Sequence, residues 1–295
     1  MSNFHEQLAE KIENFEDYLS QIIKIDGGHQ QKIIDAMEYS LLNGGKRIRA
    51  MLLLGFYEAF SENCEKAYPF ASAIEMIHAY SLIHDDLPCM DNDDFRRGKP
   101  SSHKVFGEAI AVLAGDSLLN FAFETISQQT YEFSDRIIIR AMADLSKSSG
   151  YMGMIGGQVI DIENEGKTID GNLLSYMHSL KTGALIRTAC RIGAIIAGAD
   201  EKQVKIADRY GECVGFAFQI QDDIFDVEGD VAVLGKPIGS DKENQKTTYV
   251  TIYGIEQAKE KYIKMYEEAI NCLFEIKGNT EFLINLTNML KNRKY

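Results

Sequence analysis

The chain has no tryptophan and only 4 prolines in 295 residues. So few prolines argue against a loop-rich all-β protein. No stretch approaches eighteen uncharged apolar residues, so a membrane-spanning helix is not expected. The opening MSNFHEQLAEKIENFEDY is acidic and has no apolar run, unlike a secretory signal. Basic residues are in deficit, 31 against 44 acidic ones, for a net charge of -13. Such a chain repels nucleic acid and anionic lipid as a whole, so neither is an expected partner, nor is stable membrane association. Any bound anion must meet a local basic cluster or bridging metal ions. The five cysteines (Cys64, Cys89, Cys190, Cys213, Cys272) are odd in number and scattered. They form no CxxC or Cys/His cluster, which points to reduced thiols in the cytoplasm.

What is present is helical patterning. Apolar residues make up 45% of the chain, which excludes disorder and can build a full core. The length allows two domains. No Pro-rich linker, low-complexity tract or composition change divides it, so one all-α domain over 1–295 is expected. In 67–87, Ile74, Ile77 and Ser81 recur at i, i+3 and i+7, and Met76, Tyr80 and Leu87 widen the apolar surface. The span 173–197 repeats the pattern through Leu174, Met177, Leu180, Leu185, Ile186 and Ile192, and 204–227 through Ile206, Val214, Phe218, Ile220 and Ile224. Ten or more helices are expected, with breaks at 26–28, 43–45, 91–102, 164–171 and 229–244. The long breaks at 91–102 and 229–244 each follow an acidic cluster, and long loops in a helical domain tend to be functional.

Those clusters are HDDLPCMDNDD at 84–94 and QDDIFDVEGD at 221–230, each with five acidic residues and no basic one. On a helix Asp222 and Asp226 stand at i, i+4 and project from one face, where like charges repel unless a cation joins them. Asp85 and Asp91 lie six apart with Pro88 between them, so the chain is expected to leave the helix there. Oxygen-only ligands on neighbouring turns suit Mg2+ shared with a substrate phosphate. Two such clusters make sense if they face one cavity. A calcium loop starting at Asp91 fails, because Arg96 replaces the turn glycine and Ser102 the bidentate Glu. A His–Asp phosphohydrolase would need supporting histidines, and His5, His29, His78, His103 and His178 show no such motif.

Basic groups flank the acids: RRGKP at 96–100, Lys236, Lys242 and Lys246 after the second cluster, and GGKRIR at 44–49. In the last, glycines allow close backbone approach, and Lys46 and Arg49 share a face at a helix N-terminus that favours anions. Together they describe a site for a phosphorylated small molecule, and the apolar helices leading into the clusters suit a hydrocarbon tail.

These segments resemble the trans-isoprenyl diphosphate synthases over nearly the whole chain. The matching stretches are GGKRIR (44–49), EMIHAYSLIHDDLPCMDNDDFRRGKPSSH (75–103), VFGEAIAVLAGDSLL (105–119), GGQVIDI (156–162), KTGALI (181–186), FQIQDDIFD (218–226) and GKPIGSDKENQKTTY (235–249). The four-residue insert in DDLPCMD resembles the bacterial and plant branch. The resemblance implies an isoprenoid synthase fold, with antiparallel helices around a central active-site cavity, as a homodimer. It implies elongation of an allylic diphosphate by isopentenyl diphosphate through an allylic carbocation, with three Mg2+ per site. Asp85, Asp86, Asp91, Asp161, Asp222, Asp223 and Asp226 then belong to the metal centre. Arg96, Lys181, Lys236 and Lys246 would contact the allylic diphosphate. Gly45, Lys46, Arg49, His78 and Arg97 would hold isopentenyl diphosphate, and Thr182 and Gln219 would face the carbocation. No protein nucleophile is needed, since the departing diphosphate can take the final proton. The C-terminal KNRKY resembles the basic tail that closes over the site in relatives.

Small departures, Ser101 for Thr and Phe95 for Leu, leave these roles intact. A class I terpene cyclase would mix Asn, Ser and Glu in its second metal motif, whereas DDIFD is the synthase type. A non-catalytic subunit of a heteromeric synthase would commonly lack an aspartate motif, and both are present here. Product length points to Tyr80, five residues before Asp85 and so roughly 7.5 Å deeper along a helix. The family resemblance implies that an aromatic ring there stops growth at fifteen carbons. PCMDNDDFRRGKP looks like plant geranylgeranyl synthases, and HAYSLIHDD and KTGALIR look like bacterial farnesyl synthases. The steric role of Tyr80 favours farnesyl diphosphate over the twenty-carbon alternative.

Overall fold

The computed structural model describes residues 2–228 and 246–293. Among them are fourteen α-helices and one two-stranded hairpin. Their Cα atoms gather into two units, Met1–Leu54 with Cys64–Met142 and Gly55–Asn63 with Ala143–Tyr295.

The first unit contains α1 (Ser2–Ile23), α2 (Gln31–Leu41), most of α3 (Ile48–Glu58), α4 (Tyr68–Asp85), α5 (Ser102–Phe106), α6 (Glu108–Ser127) and the first half of α7 (Asp135–Ser149). Helix α4 is the centre. Pro69 sits in its first turn, where a missing N–H is harmless. It is buried nearly all round, from Tyr68 to Ile83, as a helix without a polar face must be. Helix α6 packs on it through small residues, Ala111, Ala114, Gly115 and Ala122. The expected loop at 91–102 contains a tight hairpin: β1 (Phe95–Arg96) pairs antiparallel with β2 (Lys99–Pro100). Arg97 and Gly98 both have positive φ, 54° and 75°, as a primed two-residue turn requires.

One sequence expectation needs correction. The segment Glu108–Tyr131 has the length and hydropathy to cross a membrane, with 39% of its most apolar window buried. Its two acidic residues at most per window escaped a test for uncharged runs. Asp116, Asn120 and Glu124 recur at i, i+4 and i+8 along it, which gives the helix a polar row.

The second unit holds the rest of α3 and α7, then α8 (Met154–Glu163), α9 (Gly171–His178), α10 (Ala184–Ile196), α11 (Glu201–Glu228), α12 (Tyr249–Tyr253), α13 (Ile255–Phe274) and α14 (Glu281–Lys291). The long α11 is flanked by α10 and α13 and buries Val204, Ala207, Tyr210, Val214, Ala217 and Ile220. Phe56, at the end of α3, stacks edge-on against Tyr210, with ring centroids 5.1 Å apart. Asp170 caps α9 by accepting from the N–H groups of Asn172 and Leu173. The span 173–197 is not one regular helix. Between α9 and α10, Ser179–Gly183 forms a π-turn, and Lys181 and Thr182 sit on it. Such widened turns concentrate at functional sites.

Candidate functional site

In the first unit the acidic cluster begins on the last turn of α4. The chain leaves the helix before Pro88 and folds back, so that the Asp91 N–H donates to the Asp85 carbonyl at 2.9 Å and the Asn92 N–H to the Leu87 carbonyl at 3.1 Å. The break brings the backbones of Asp85 and Asp91 together. Asp85 is half-buried and Asp91 exposed, whereas Asp86 is 3% exposed. Arg96 clamps Asp86: Nε donates to Oδ1 at 2.9 Å, and Nη2 forms a closer ion pair with the same oxygen.

Beside this lies a basic pocket lined by His78, Arg47, Arg96, Arg97, Asn43 and Ser101, among others. Arg97 Nη1 donates to the Gly44 carbonyl. A Cβ on Gly45 would lie 2.7 Å from the same nitrogen, and its φ of 125° is one that side chains rarely adopt, which favours glycine here. His78 feels the whole group: burial first, then Arg49, Arg97, Arg47 and Arg96, push its pKa well below the ordinary histidine value. Its ring is therefore neutral at pH 7, ready to donate one hydrogen bond without adding charge. Of the residues expected around isopentenyl diphosphate, Gly45, Arg49, His78 and Arg97 converge here, and Lys46 lies exposed on the same turn.

Tyr80 is 4% exposed, and its hydroxyl has no hydrogen-bond partner. Burial, with Asp85 adding, pushes its pKa up to about 12. Its ring stands edge-on to His84 at 5.8 Å. The hydroxyl therefore stays protonated and the ring presents an apolar body.

In the second unit Asp161 on α8 meets the π-turn. Lys181 Nζ donates to Asp161 Oδ2 at 2.6 Å, and Lys246 Nζ lies 3.7 Å from the same oxygen. Burial raises the Asp161 pKa, but the two lysines outweigh it and hold the carboxyl below its usual range. Two glycines permit this contact. A Cβ on Gly157 would fall 2.4 Å from the Lys181 backbone nitrogen, and one on Gly215 2.9 Å from the Gly183 Cα. The π-turn is thus gripped between α8 and α11.

From the π-turn a hydrogen-bonded chain runs to α11. The Thr182 hydroxyl donates to Gln219 Oε1 at 2.8 Å, and Gln219 Nε2 donates to Asp223 Oδ1 at 3.2 Å. Asp223, 3% exposed, also accepts from the Tyr249 N–H at 2.7 Å. Asp223 therefore fixes the amide of Gln219, and with it the direction of the Thr182 hydroxyl. Asp222 and Asp226 stay half-buried on α11. Lys236 lies outside the described residues.

Three residues here were not singled out from the sequence. Arg293 donates to Asp222 Oδ1 at 2.6 Å, to Gln221 Oε1 at 2.7 Å and to the Phe218 carbonyl at 2.9 Å, with its guanidinium 3.7 Å over the Phe218 ring. The KNRKY tail was its only signal. His178 is buried with Nδ1 unpartnered, and burial pushes its pKa down to about 4 against the pull of Asp161. Arg47, inside GGKRIR, is buried at 5% exposure.

Among the described residues no three acidic, histidine or cysteine side chains form a metal cluster on their own. The donor set still fits Mg2+, which keeps much of its water and takes a few carboxylates plus substrate oxygens. The guanidinium of Arg293 already stands where a cation on Asp222 is expected.

The polyprenyl synthetase family model matches residues 30–285. The farnesyl diphosphate synthase of Geobacillus stearothermophilus is 47% identical over 256 residues, 86% of each chain. The geranylgeranyl diphosphate synthase of Cyanophora paradoxa is 42% identical over 288 residues, 97% of this chain and 95% of its own. The crystal structure of a geranyltransferase from Helicobacter pylori, complexed with magnesium and isoprenyl diphosphate, superposes with a TM-score of 0.84 at 32% identity, covering 97% of this chain and 96% of that one. The back-folded aspartate turn, the arginine-ringed His78 and the gripped lysine turn therefore sit on the all-α fold of known prenyl synthases, and the chain belongs to the polyprenyl synthetase family.

Proposed function

We propose that this chain is a farnesyl diphosphate synthase, condensing isopentenyl diphosphate with dimethylallyl and then geranyl diphosphate. One observation carries the condensation reading: a pocket ringed by Arg47, Arg96 and Arg97 around a neutral His78 adjoins the carboxylates at the end of α4, on a protein of net charge -13. Arg47 is held inward by Glu16 and Glu75 and Arg96 by Asp86, which leaves Arg97 and His78 as the pocket groups suited to receive an anion.

In this reading Lys46, Arg49, His78 and Arg97 hold the isopentenyl diphosphate, with Gly45 offering backbone. Arg96, Lys181, Lys236 and Lys246 contact the allylic diphosphate. In the first unit Asp85 and Asp91, and in the second Asp161, Asp222 and Asp226, would supply oxygen ligands for Mg2+, three ions being the count the family resemblance implies. Asp86 orients Arg96 in the first unit, and Asp223 orients Gln219 in the second. Bound Mg2+ supplies Lewis-acid stabilisation of the leaving diphosphate. The chain adds cationic donors aimed at the same developing charge. The Thr182 hydroxyl, spending its proton on Gln219, turns lone pairs towards the allylic carbocation. The proton lost after attack passes to the departing diphosphate.

Relatives of both product lengths exist, and the buried Tyr80 supports the fifteen-carbon product. A homodimer is the assembly that the family resemblance implies. The cytoplasm suits the free thiols of all five cysteines. Incubation with dimethylallyl and isopentenyl diphosphates and Mg2+, followed by chain-length analysis, should give farnesyl diphosphate. Intact binding without any elongated product would instead identify a partner subunit.

A further inference from the structure

Arg47 adopts φ 47°, a left-handed conformation unusual for a long side chain, between Gly44 and Gly45 at 66° and 125° and the start of α3. Its side chain explains how that strain persists. Nε donates to Glu16 Oε1 of α1 at 3.0 Å, Nη2 to the Leu41 carbonyl at the end of α2 at 2.9 Å, and Nη1 to Glu75 Oε2 of α4 at 3.4 Å. Glu75, 3% exposed, uses its other oxygen to accept the Ala50 N–H of α3 at 3.2 Å. One buried ion pair thus ties four helices to a six-residue turn. With Arg47 drawn inward, Lys46 is left exposed and Arg49 half-buried on the same turn.

We propose that Arg47, acting with Glu75, is a positioning residue for isopentenyl diphosphate. The pair locks the 44–49 turn so that Lys46 and Arg49 are aimed before the ligand arrives. The inference rests on the reading above that this pocket takes the homoallylic diphosphate. It differs from direct contact in one respect. Were Arg47 itself a ligand of the anion, removing the charge of Glu75 would leave affinity unchanged or improve it. As a positioning pair, either partner's loss must weaken binding.

The test compares Arg47→Lys and Glu75→Gln with the wild type in steady-state kinetics, with thermal melts alongside. The Michaelis constant for isopentenyl diphosphate should rise about tenfold in Arg47→Lys and about threefold in Glu75→Gln, each 1.4 kcal/mol or less by the tenfold rule. The constant for dimethylallyl diphosphate and kcat should stay within twofold. An unchanged constant for isopentenyl diphosphate, an equal rise for both substrates, or a rise in Arg47→Lys alone overturns the proposal. If Arg47→Lys does not fold, Glu75→Gln and Glu16→Gln carry the test, since each leaves Arg47 one carboxylate. A wild type that forms no product defeats the functional reading instead. Calorimetry with inorganic diphosphate, without added magnesium, then decides this inference separately: an unweakened Kd in Glu75→Gln sinks it.

Discussion

At the scale of single residues, carboxylates of one motif have unlike duties. Asp85 and Asp222 are half-buried, Asp222 in an ion pair with Arg293, while Asp86 and Asp223 are buried and held by Arg96, Gln219 and Tyr249. Replacing Asp85 or Asp222 by Ala should lower turnover by about 10³-fold with only a small change in melting temperature, the loss of the half-exposed Arg293 pair in Asp222→Ala costing about 1 kcal/mol or less. Product assays beside thermal melts decide it. A large loss of stability with normal metal-saturated turnover would return these aspartates to a structural role. Tyr80 works by size alone: its hydroxyl has no partner to lose and its ring fills space beside His84. Tyr80→Ala should therefore lengthen the product beyond fifteen carbons while keeping condensation. An unchanged distribution, or a twenty-carbon product from the native chain, would refute the steric argument.

Among elements, the decisive contact is the grip of α8 and α11 on the π-turn. Gly157→Ala would drive a methyl into the Lys181 backbone, which cannot retreat because Gly183 lies against Gly215. Overpacking of this kind costs about 1–3 kcal/mol. The variant should melt several degrees lower and lose activity through the parted Asp161–Lys181 pair. Wild-type melting and rate would show that the helices have room to spare. This contact also marks how far the sequence could be read. Periodicity placed α4 and α11 well, because their apolar residues repeat without interruption, and Pro88 located the break between Asp85 and Asp91. It did not reveal the π-turn, since one extra residue in a buried helix barely disturbs a 3.6-residue pattern. The hairpin at 95–100 escaped too, because two-residue strands carry no alternation to detect. Motif chemistry brought out the aspartates and lysines. The pairings Arg47–Glu75 and Arg293–Asp222 join positions 28 and 71 residues apart, and nothing local announces them.

Over the whole molecule, acid should act through two neutral histidines, His178 buried and His78 half-buried, before it reaches the carboxylates. His178 has a pKa near 4 when folded, against about 6.5 in an unfolded chain, and His78 is also held well below its ordinary value. Burial is the main cause for both. With the folded pKa depressed, the unfolded chain binds more protons as pH falls, so stability is full above about 6.5 and declines through the window down to about 4. For His178 the loss amounts to ~3 kcal/mol at about 1.4 kcal/mol per pKa unit. Asp161, with its own pKa depressed by Lys181 and Lys246, adds a loss only below the ordinary carboxylate range, near 3.8, so the two effects separate on the pH axis. Urea denaturation of the wild type should thus show stability falling between pH 7 and 4.5. In His178→Gln, which keeps a polar group but cannot take the proton, the slope over that interval should flatten even where stability at pH 7 is lower. Comparing slopes rather than absolute values isolates the titration from any packing defect. Parallel slopes in the two proteins would mean that folding leaves the proton affinity of His178 unchanged, with the pull of the Asp161 carboxylate cancelling its burial.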